Sequence, residues 1–427
     1  MKDVLSFAER VTGLRTAVQQ QRSKIVAARL PTPELHPADV AKHGTSAHSV
    51  RYPGGMPTRA QEGPTRLIIQ TPNVAPGDLL MLTGAIRDLH ACYPGKYLVD
   101  IKTPYQALLE NNPGVCTLDP TVPGTMELTA FYGQVSRSND STSHYATAFH
   151  EWLGATLRIP IHQTEPWGAV YLSEAEKAEP PLVWSRLSGP RAYWVLNAGY
   201  KPDATVKFPG HAFWQHVVDI CPEVLFVQTG AGTSKAERQF HPPVKGDNVL
   251  DLRGQTTLRD MVTIMYNAVG CLTPVSFPMH LAAAVPMNPV YCRPRRPCVV
   301  VAGGREPSAW EAYSTHRYLT TGGMYPCCAK GGCWAYRTVA LDDGRSENEA
   351  KLCRYPVQDE EGVEIPFCMS QIDPITVQQA IRNYLCFYDY DGVDTNKWHI
   401  RQLPDLRDLP SAFLPRLQGQ PAPERVT

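Results

Sequence analysis

A glycine and a carboxylate stand side by side at Gly77 and Asp78, where a short apolar run changes to a helical spacing of apolar residues. Glycine lets a backbone approach a ligand closely, and a carboxylate in such a turn can take a proton from a bound hydroxyl group. Aspartate is also a preferred residue at helix N-termini, so Asp78 can simply cap the helix that begins there. The turn therefore predicts either a general base or a helix cap.

Two lysines and a histidine occupy similar turns in the second half of the chain. Lys201 and Lys207 follow the apolar run YWVL, and ammonium groups in a glycine-containing loop at a strand end can hold phosphate oxygens. His280 falls in the first turn of a predicted helix, whose free N–H groups suit a diphosphate. The alternatives are an exposed loop for the lysines and a buried core position for His280.

A Gly-Gly turn after the run CVVVA places Arg305 and Glu306 at the end of a predicted strand. An arginine there can hold a diphosphate with two hydrogen bonds, and a glutamate can hold a hydroxyl group of a sugar or ribose. An internal ion pair between the two residues explains the same sequence equally well.

Five of the 12 cysteines are concentrated between positions 327 and 368. They lie among proline, glycine and charged residues, in a segment too polar to fold on apolar burial alone, and a tetrahedral thiolate site would supply the missing stability. Zinc is the default ion for four thiolates and iron is an alternative, while scattered free thiols and disulfides are the other interpretations. Because adjacent cysteines rarely both bind one ion, we expect one of the neighbouring pair to be spare. The candidate ligands are Cys327, Cys328, Cys333, Cys353 and Cys368.

Alternating strand-like and helix-like segments must position these residues. In the first half, strands are predicted at 66–70, 96–101 and 114–117, and helices from Asp78 onward, at 105–111 and at 144–157. The second half repeats the pattern, with strands at 193–196, 224–228 and 298–302 and helices at 212–220 and around 258–265. This alternation predicts an α/β fold of two Rossmann-like domains that face a cleft, where ligands bind beyond the carboxyl ends of the strands.

The pattern also predicts the order of the domains. An N-terminal helix and linker arm occupies residues 1–64, a first Rossmann-like (acceptor) domain 65–190, and a second (donor) domain 191–385, which includes a cysteine-rich insertion at 324–370; a tail follows at 386–427. Apolar positions recur every three or four residues between 4 and 30, which predicts an amphipathic helix. That helix either packs on its own chain or supports a homo-oligomer or the docking of a partner.

Charge and composition narrow the class of protein. Lys and Arg number 41 and Asp and Glu number 41, so the zero net charge indicates no broad basic surface for nucleic acid or anionic membrane. Apolar residues make up 43% of the chain, which excludes global disorder. No apolar run approaches the roughly 18 residues of a membrane span, and charged residues interrupt the first 30, so we predict a cytoplasmic protein without a membrane span.

Three segments, taken in order, resemble glycosyltransferase family 9, which contains the lipopolysaccharide heptosyltransferases. GDLLMLTGAIRDLHACYPGKYLVDI is similar to that family's Gly-Asp turn, long helix and Tyr-Pro-Gly junction. LNAGYKPDATVKFP resembles its lysine-containing donor loop, and the block ending in PMHLAAAV resembles its nucleotide-proximal segment. The cysteine-rich stretch is similar to an insertion in the branch that modifies autotransporter proteins, where the ion is iron.

The resemblance implies a GT-B type fold and an enzyme that transfers a sugar, typically from ADP-heptose, with inversion and without a catalytic metal. It implies that Asp78 is the general base, that Lys207, with Lys201 nearby, contacts the donor diphosphate, and that Gly77 belongs to the phosphate and acceptor loop. The sugar is heptose-like or a hexose, and the acceptor is a hydroxyl group on a glycan, a protein or a modified DNA base. The other predicted donor-binding residues are Ser276, Met279, His280, Arg305 and Glu306.

One departure from the family concerns the donor sugar. Where many members have Asp-Ser-Gly, this chain has Val275, Ser276 and Phe277, so a carboxylate expected to contact the sugar is missing. Two other functions stay open: a nucleotide-sugar epimerase of the same fold, and a non-catalytic nucleotide-sugar-binding protein.

Overall fold

The computed structural model describes residues 50–386, with gaps at 58–62, 73, 188, 190, 232–240, 292 and 340–350. The predicted N-terminal helix, most of the linker arm and the C-terminal tail lie outside these residues, and the homo-oligomer through that helix stays a prediction. Across the described ranges, no helix combines the length and the apolar character needed to cross a membrane.

The first half of the chain forms a four-stranded sheet with helices beside it. Its elements are β1 (Val50–Arg51), β2 (Thr65–Gln70), α1 (Pro76–Cys92), β3 (Tyr97–Lys102), β4 (Met126–Thr129), α2 (Tyr145–Leu157), α3 (Glu174–Ala178) and α4 (Leu182–Arg186). The strand order is β1-β4-β2-β3, in which β2 pairs in parallel with β3 and β4, and β1 is antiparallel to β4. Leu67, Ile68 and Ile69 are all buried, as expected for a parallel strand that is covered on both faces.

The second half forms a six-stranded sheet that is parallel throughout. Its elements are β5 (Trp194–Leu196), α5 (His211–Asp219), β6 (Phe226–Gln228), β7 (Val249–Asp251), α6 (Leu258–Asn267), β8 (Gly270–Pro274), α7 (Phe277–Ala284), β9 (Cys298–Gly303), α8 (Ser308–Glu311) and β10 (His316–Thr320). The strand order is β10-β9-β8-β5-β6-β7. Every residue of β8 and β9 is buried, so this sheet is the centre of the second half.

The chain then adds a small hairpin and two helices. They are β11 (Pro356–Gln358), β12 (Glu364–Pro366), α9 (Phe367–Ser370) and α10 (Pro374–Cys386). β11 and β12 pair antiparallel, and the buried side chains of Val377 and Ile381 on α10 join the core on one face of the second sheet. The predicted α/β architecture with parallel sheets is therefore confirmed.

Two predicted elements of the first half are wrong. Residues 105–111 form only a short 3₁₀ turn (Gln106–Leu108), and residues 114–117 form no strand. The reason is local: Cys116 N–H bonds the Val99 carbonyl, but the Asp100 carboxylate then accepts the N–H of Leu118, so a side chain replaces the next bond that a strand would make. The strand that completes this sheet is β4, which the apolar pattern did not predict.

Helices α1 and α7 bring the two halves of the chain into direct contact. The ring of His280 lies against Gly77, where an added Cβ atom would come within 2.7 Å of the ring. Above it, the hydroxyl of Tyr313 lies 3.2 Å from the sulfur of Met81. The absence of a side chain at Gly77 thus permits the close approach of α1 and α7.

Candidate functional site

Asp78 lies in the first turn of α1, at the contact between the two halves. Its Oδ2 accepts hydrogen bonds from Ala75 N–H (3.1 Å) and from the Tyr132 hydroxyl (3.2 Å), and its Oδ1 accepts one from the Tyr145 hydroxyl (3.1 Å). The bond from Ala75 makes Asp78 a helix cap, as one interpretation of the sequence predicted. The two tyrosines go beyond capping, because they fix the direction in which the carboxylate faces.

The pKa of Asp78 is raised above its ordinary value. Burial is the main cause, and it outweighs the opposing effects of the hydrogen bonds from Ala75, Tyr145 and Tyr132 and of the charge on Lys207. Burial also holds the pKa of both tyrosines well above 10, so their hydroxyls remain neutral hydrogen-bond donors. A carboxylate with a raised pKa is a stronger base than an exposed aspartate.

On the opposite wall, Lys207 and Arg305 share one carboxylate. Lys207 Nζ lies 2.6 Å from Glu306 Oε1, and Arg305 donates to the same oxygen. Arg305 also donates from Nε to the Ala335 carbonyl at 2.7 Å. The internal Arg305–Glu306 pair is thus present in this structure, and Glu306 holds both cations in place at the end of β9.

The charge state of Lys207 depends on this arrangement. Burial and the neighbouring charge on Arg305 lower the pKa of its ammonium group. Glu311 and Asp78 act in the opposite direction, because a nearby anion stabilises the charged form. The net result is a pKa of about 7 for Lys207, and an incoming anion would compete with Glu306, 2.6 Å away, for its ammonium group.

Glu311, at the end of α8, is a second carboxylate that faces this cluster. Its side chain is almost fully buried (residue exposure 7%), and within the described part of the chain its Oε2 has no hydrogen-bond partner. That oxygen lies 3.9 Å from His280 Nε2. Burial raises the pKa of Glu311 to about 7, with Asp78 acting in the same direction and Lys207 and Arg305 acting against it.

We predict that Glu311→Gln raises the free energy of unfolding at pH 8 and has little effect near pH 4. An unfolded glutamate ionises near pH 4.3, so between about pH 4.3 and 7 the unfolded state binds fewer protons, and stability falls as the pH rises. The expected gain at pH 8 is on the order of 1–3 kcal/mol, because the glutamine carries no buried charge. Urea unfolding at both pH values measures it.

A matched control for this prediction is Glu223→Gln. Glu223 is also largely buried, but its carboxylate pairs with Arg382 at 2.8 Å. Glu223→Gln should lower the free energy of unfolding, because it removes the ion pair with Arg382. Destabilisation by Glu311→Gln at pH 8 would contradict the view that its charge is unsatisfied.

The remaining residues that the sequence predicts for the site differ in their burial and in their contacts. The Ser276 hydroxyl lies at the N-terminus of α7, 2.9 Å from Thr273 Oγ1, and Lys201 is exposed near Lys207. His280 is buried, and its Nδ1 lies 2.8 Å from the Tyr313 hydroxyl. This is the buried position that the sequence analysis gave as the alternative for His280. Met279 has no exposed surface and packs in the apolar core, so its side chain is not open to the cleft.

Sequence reasoning missed Tyr132, Tyr145 and Glu311. Tyr132 lies in an irregular segment, Tyr145 is the first residue of α2, and Glu311 ends a helix of four residues. None of them belongs to a periodic pattern that marks a site. The signal that was available for Glu311 is its position five residues after Glu306, in the same strand-end loop.

The five cysteines of the predicted metal site line one cavity beside Arg305. Burial raises the pKa of the Cys327 thiol to about 11, and it also raises the pKa of Cys333, Cys353 and Cys368. Neighbouring thiols also raise the pKa of Cys327, Cys328 among them. Cys328 differs, because its exposure is only 1% and its sulfur contacts the Thr321 carbonyl at 3.6 Å.

The donor set suits a metal, but the thiols do not converge on one point. Among the residues that the structure describes, no three His, Cys, Asp or Glu side chains are arranged to hold a metal ion. All five thiols are free, and four thiolates are a suitable set for zinc or iron. The chemistry therefore fits, whereas the side-chain geometry would have to close around the ion.

The cysteine-rich segment also contacts the first half of the chain. Asn139 exchanges two hydrogen bonds of 2.9 Å with the backbone of Gly332, and it accepts a third from Trp334 Nε1 at 3.0 Å. The Arg305 guanidinium stacks 5.1 Å from the centre of the Trp334 ring. Cys333 lies between Gly332 and Trp334 in the sequence. Its neighbours therefore contact both the first half of the chain, through Asn139, and the charged cluster, through Arg305.

Comparison with known proteins identifies a fold. No protein-family model and no curated protein matches the sequence. Among solved structures, the chain is similar to the iron-containing dodecameric glycosyltransferase TibC from enterotoxigenic E. coli H10407, with 15% identity, a TM-score of 0.52, and coverage of 77% of this chain and 78% of TibC.

Two further solved structures give weaker matches. A family 9 glycosyltransferase from Veillonella parvula DSM 2008 is 14% identical with a TM-score of 0.48, covering 77% of this chain and 99% of that one. The E. coli ADP-heptose lipopolysaccharide heptosyltransferase II is 13% identical with a TM-score of 0.44, covering 76% and 99%. The likeness to TibC shows that the chain has the fold that its resemblance to the heptosyltransferase family implied.

Proposed function

We propose that this protein is an inverting glycosyltransferase of the family 9 type, which moves a sugar from a nucleotide-diphosphate donor to a hydroxyl acceptor. The observation that supports it most is the contact of the Asp78 turn with α7, which brings Asp78 of the first half near Lys207 of the second half. An inverting displacement needs a base on one side of the sugar carbon and positive charge on the other, where the diphosphate leaves. The two halves of the chain supply one requirement each.

In the proposed reaction, the acceptor hydroxyl lies next to Asp78. Tyr132 and Tyr145 orient the carboxylate, which takes the hydroxyl proton as the acceptor oxygen bonds to the sugar carbon. The bond between that carbon and the diphosphate oxygen breaks, and both of its electrons stay with the diphosphate. Lys207 then stabilises the departing anion, and the ion pair between Lys207 and Glu306 forms again when the product leaves.

The donor is proposed to be ADP-heptose or a related nucleotide sugar, and the acceptor a glycan, a protein hydroxyl or a modified DNA base. The donor proposal rests on the sequence resemblance. A thermal-shift screen of nucleotide sugars tests it, since only a ligand that binds the folded state raises the melting temperature. No shift with any nucleotide or nucleotide sugar would contradict the proposed function.

Incubation with the identified donor separates the rival functions. A transferase hydrolyses the donor slowly when no acceptor is present, whereas an epimerase converts it to an equilibrium mixture of isomers. A binding protein leaves it unchanged, with and without acceptors. The arrangement of Asp78 between two tyrosines favours an enzyme over a protein that only binds, because binding alone has no need of an oriented base.

We further propose that the cysteine-lined cavity holds one structural ion, iron or zinc, and that Cys327 rather than Cys328 is the ligand from the adjacent pair. Cys327 would bind together with Cys333, Cys353 and Cys368. This choice is supported by the contact of Cys328 with the Thr321 carbonyl and by the near-complete burial of its side chain. The ion would supply the stability that this polar segment lacks.

We predict about one metal ion per chain in protein purified without chelator. Cys333→Ser should abolish metal content and lower the melting temperature, because a hydroxyl is a poor substitute for a thiolate ligand. Cys328→Ser is the matched control and should keep the ion. Elemental analysis and thermal unfolding measure both. A fully folded wild-type protein without an ion would contradict the proposal, and loss of the ion in Cys328→Ser but not in Cys327→Ser would reverse the ligand choice.

A further inference from the structure

The wall of the cleft that faces Asp78 carries two carboxylates with different surroundings. The Oε1 atom of Glu306 contacts both Lys207 and Arg305, so this carboxylate has two cationic partners, although its Oε2 is buried without a partner among the described residues. For Glu311, the contact found is His280 Nε2 at 3.9 Å from Oε2, beyond hydrogen-bond distance. Burial also holds the pKa of His280 well below its ordinary value, so this ring is neutral and does not balance the charge of Glu311.

A buried carboxylate oxygen without a partner costs stability unless something else satisfies it. Glu311 has 7% of its surface exposed, and its Oε2 is unpartnered among the described residues. Its Oε2 lies 3.9 Å from His280 Nε2, and the His280 ring lies against Gly77, the residue before Asp78. Glu311 is thus close to the place where, in the proposed reaction, the transferred sugar must lie.

The chemistry of Glu311 suits a hydroxyl group better than a phosphate. A carboxylate accepts hydrogen bonds from sugar hydroxyls, whereas it repels the anionic diphosphate. The cations Lys207 and Arg305 lie on the same wall and suit the phosphates instead. The wall is thus divided into a cationic part and an acidic part, as a nucleotide sugar requires.

We infer that Glu311 is a specificity-determining residue that accepts a hydrogen bond from a hydroxyl group of the transferred sugar. The inference rests on the proposed function and extends it, because it assigns one residue of this chain to the sugar rather than to the nucleotide. Sugar hydroxyls supply the partner that Oε2 lacks in the free protein. Nucleotides without a sugar leave it unpaired.

The test compares two probes, ADP-D-β-D-heptose and ADP, by calorimetric titration. In the wild-type protein the sugar should increase affinity over ADP alone. Glu311→Gln and Glu311→Ala should weaken binding of the nucleotide sugar by about 10- to 100-fold, the effect of one lost hydrogen bond to a charged group. Both variants should bind ADP within about twofold of the wild type, because the cationic part of the wall is intact.

Further variants separate recognition of the sugar from general damage to the fold. Glu311→Asp keeps the carboxylate and should bind the nucleotide sugar more tightly than Glu311→Ala does. Glu223→Gln removes a largely buried carboxylate of the same domain and should bind both probes as the wild type does. A merely structural role for Glu311 would weaken both probes equally in all its variants.

The outcomes distinguish the inference from the function on which it rests. A wild-type gain from the sugar that Glu311→Gln abolishes supports the inference. A gain that persists in Glu311→Gln overturns it and leaves the proposed function standing. A wild-type protein that binds ADP without any gain from the sugar also overturns it, and one that binds neither probe contradicts the proposed function itself.

Discussion

Replacing Asp78 by asparagine is expected to lower kcat for sugar transfer by about 10²- to 10⁴-fold, the usual contribution of a general base. Asparagine has nearly the same shape and keeps an oxygen that can accept from Ala75 N–H and from a tyrosine hydroxyl, so the helix cap should persist. It cannot take a proton from the acceptor. Affinity for the nucleotide-sugar donor should change little, because Asp78 lies on the acceptor side of the cleft.

Steady-state rates and donor titration on the same sample measure both halves of this prediction. Asp119→Asn is the matched control, since Asp119 is an exposed carboxylate of the same half of the chain and should leave both quantities unchanged. Undiminished turnover in Asp78→Asn would remove Asp78 from the reaction. Loss of folding instead of activity would mean that the capping role dominates.

The architecture of this protein was predictable because apolar runs and helical spacing record burial directly. Leu67 to Ile69 and the residues of β9 are all buried, and strands that are buried on both faces are continuous in apolar residues. The segment at 114–117 was wrongly predicted as a strand because the pattern of apolar residues does not record contacts between distant side chains and the backbone. There the Asp100 side chain, fixed only in three dimensions, replaces a backbone partner.

The site was predictable only where a residue lies at a strand end. Asp78, Lys207 and Glu306 lie in the segments that follow β2, β5 and β9, and the structure brings all three near one another. Tyr145 and Glu311 reach the same cleft from helices whose rotation depends on packing between the halves, which spacing along the chain does not determine. The Arg305–Glu306 pair shows the converse limit, because the sequence could not decide between an internal contact and a ligand contact.

The contact between Lys207 and Glu306 makes a single substitution at Lys207 ambiguous, since two effects would occur together. Lys207→Met removes the cation that is proposed to stabilise the leaving diphosphate, and it should lower kcat by about 10²- to 10³-fold. It also leaves Glu306, which is 1% exposed, with Arg305 as its remaining charged partner. The loss of Lys207 as a partner of Glu306 should reduce the free energy of unfolding by about 1–3 kcal/mol.

A second substitution separates these effects. In the double variant Lys207→Met with Glu306→Gln, the buried negative charge is gone, so most of the lost stability should return. Transfer should not return, because no ammonium group faces the diphosphate. Urea unfolding and initial rates on the wild type, both single variants and the double variant complete a double-mutant cycle. If activity recovered together with stability, Lys207 would act only by holding Glu306, and the positive charge at the leaving group would have to come from Arg305.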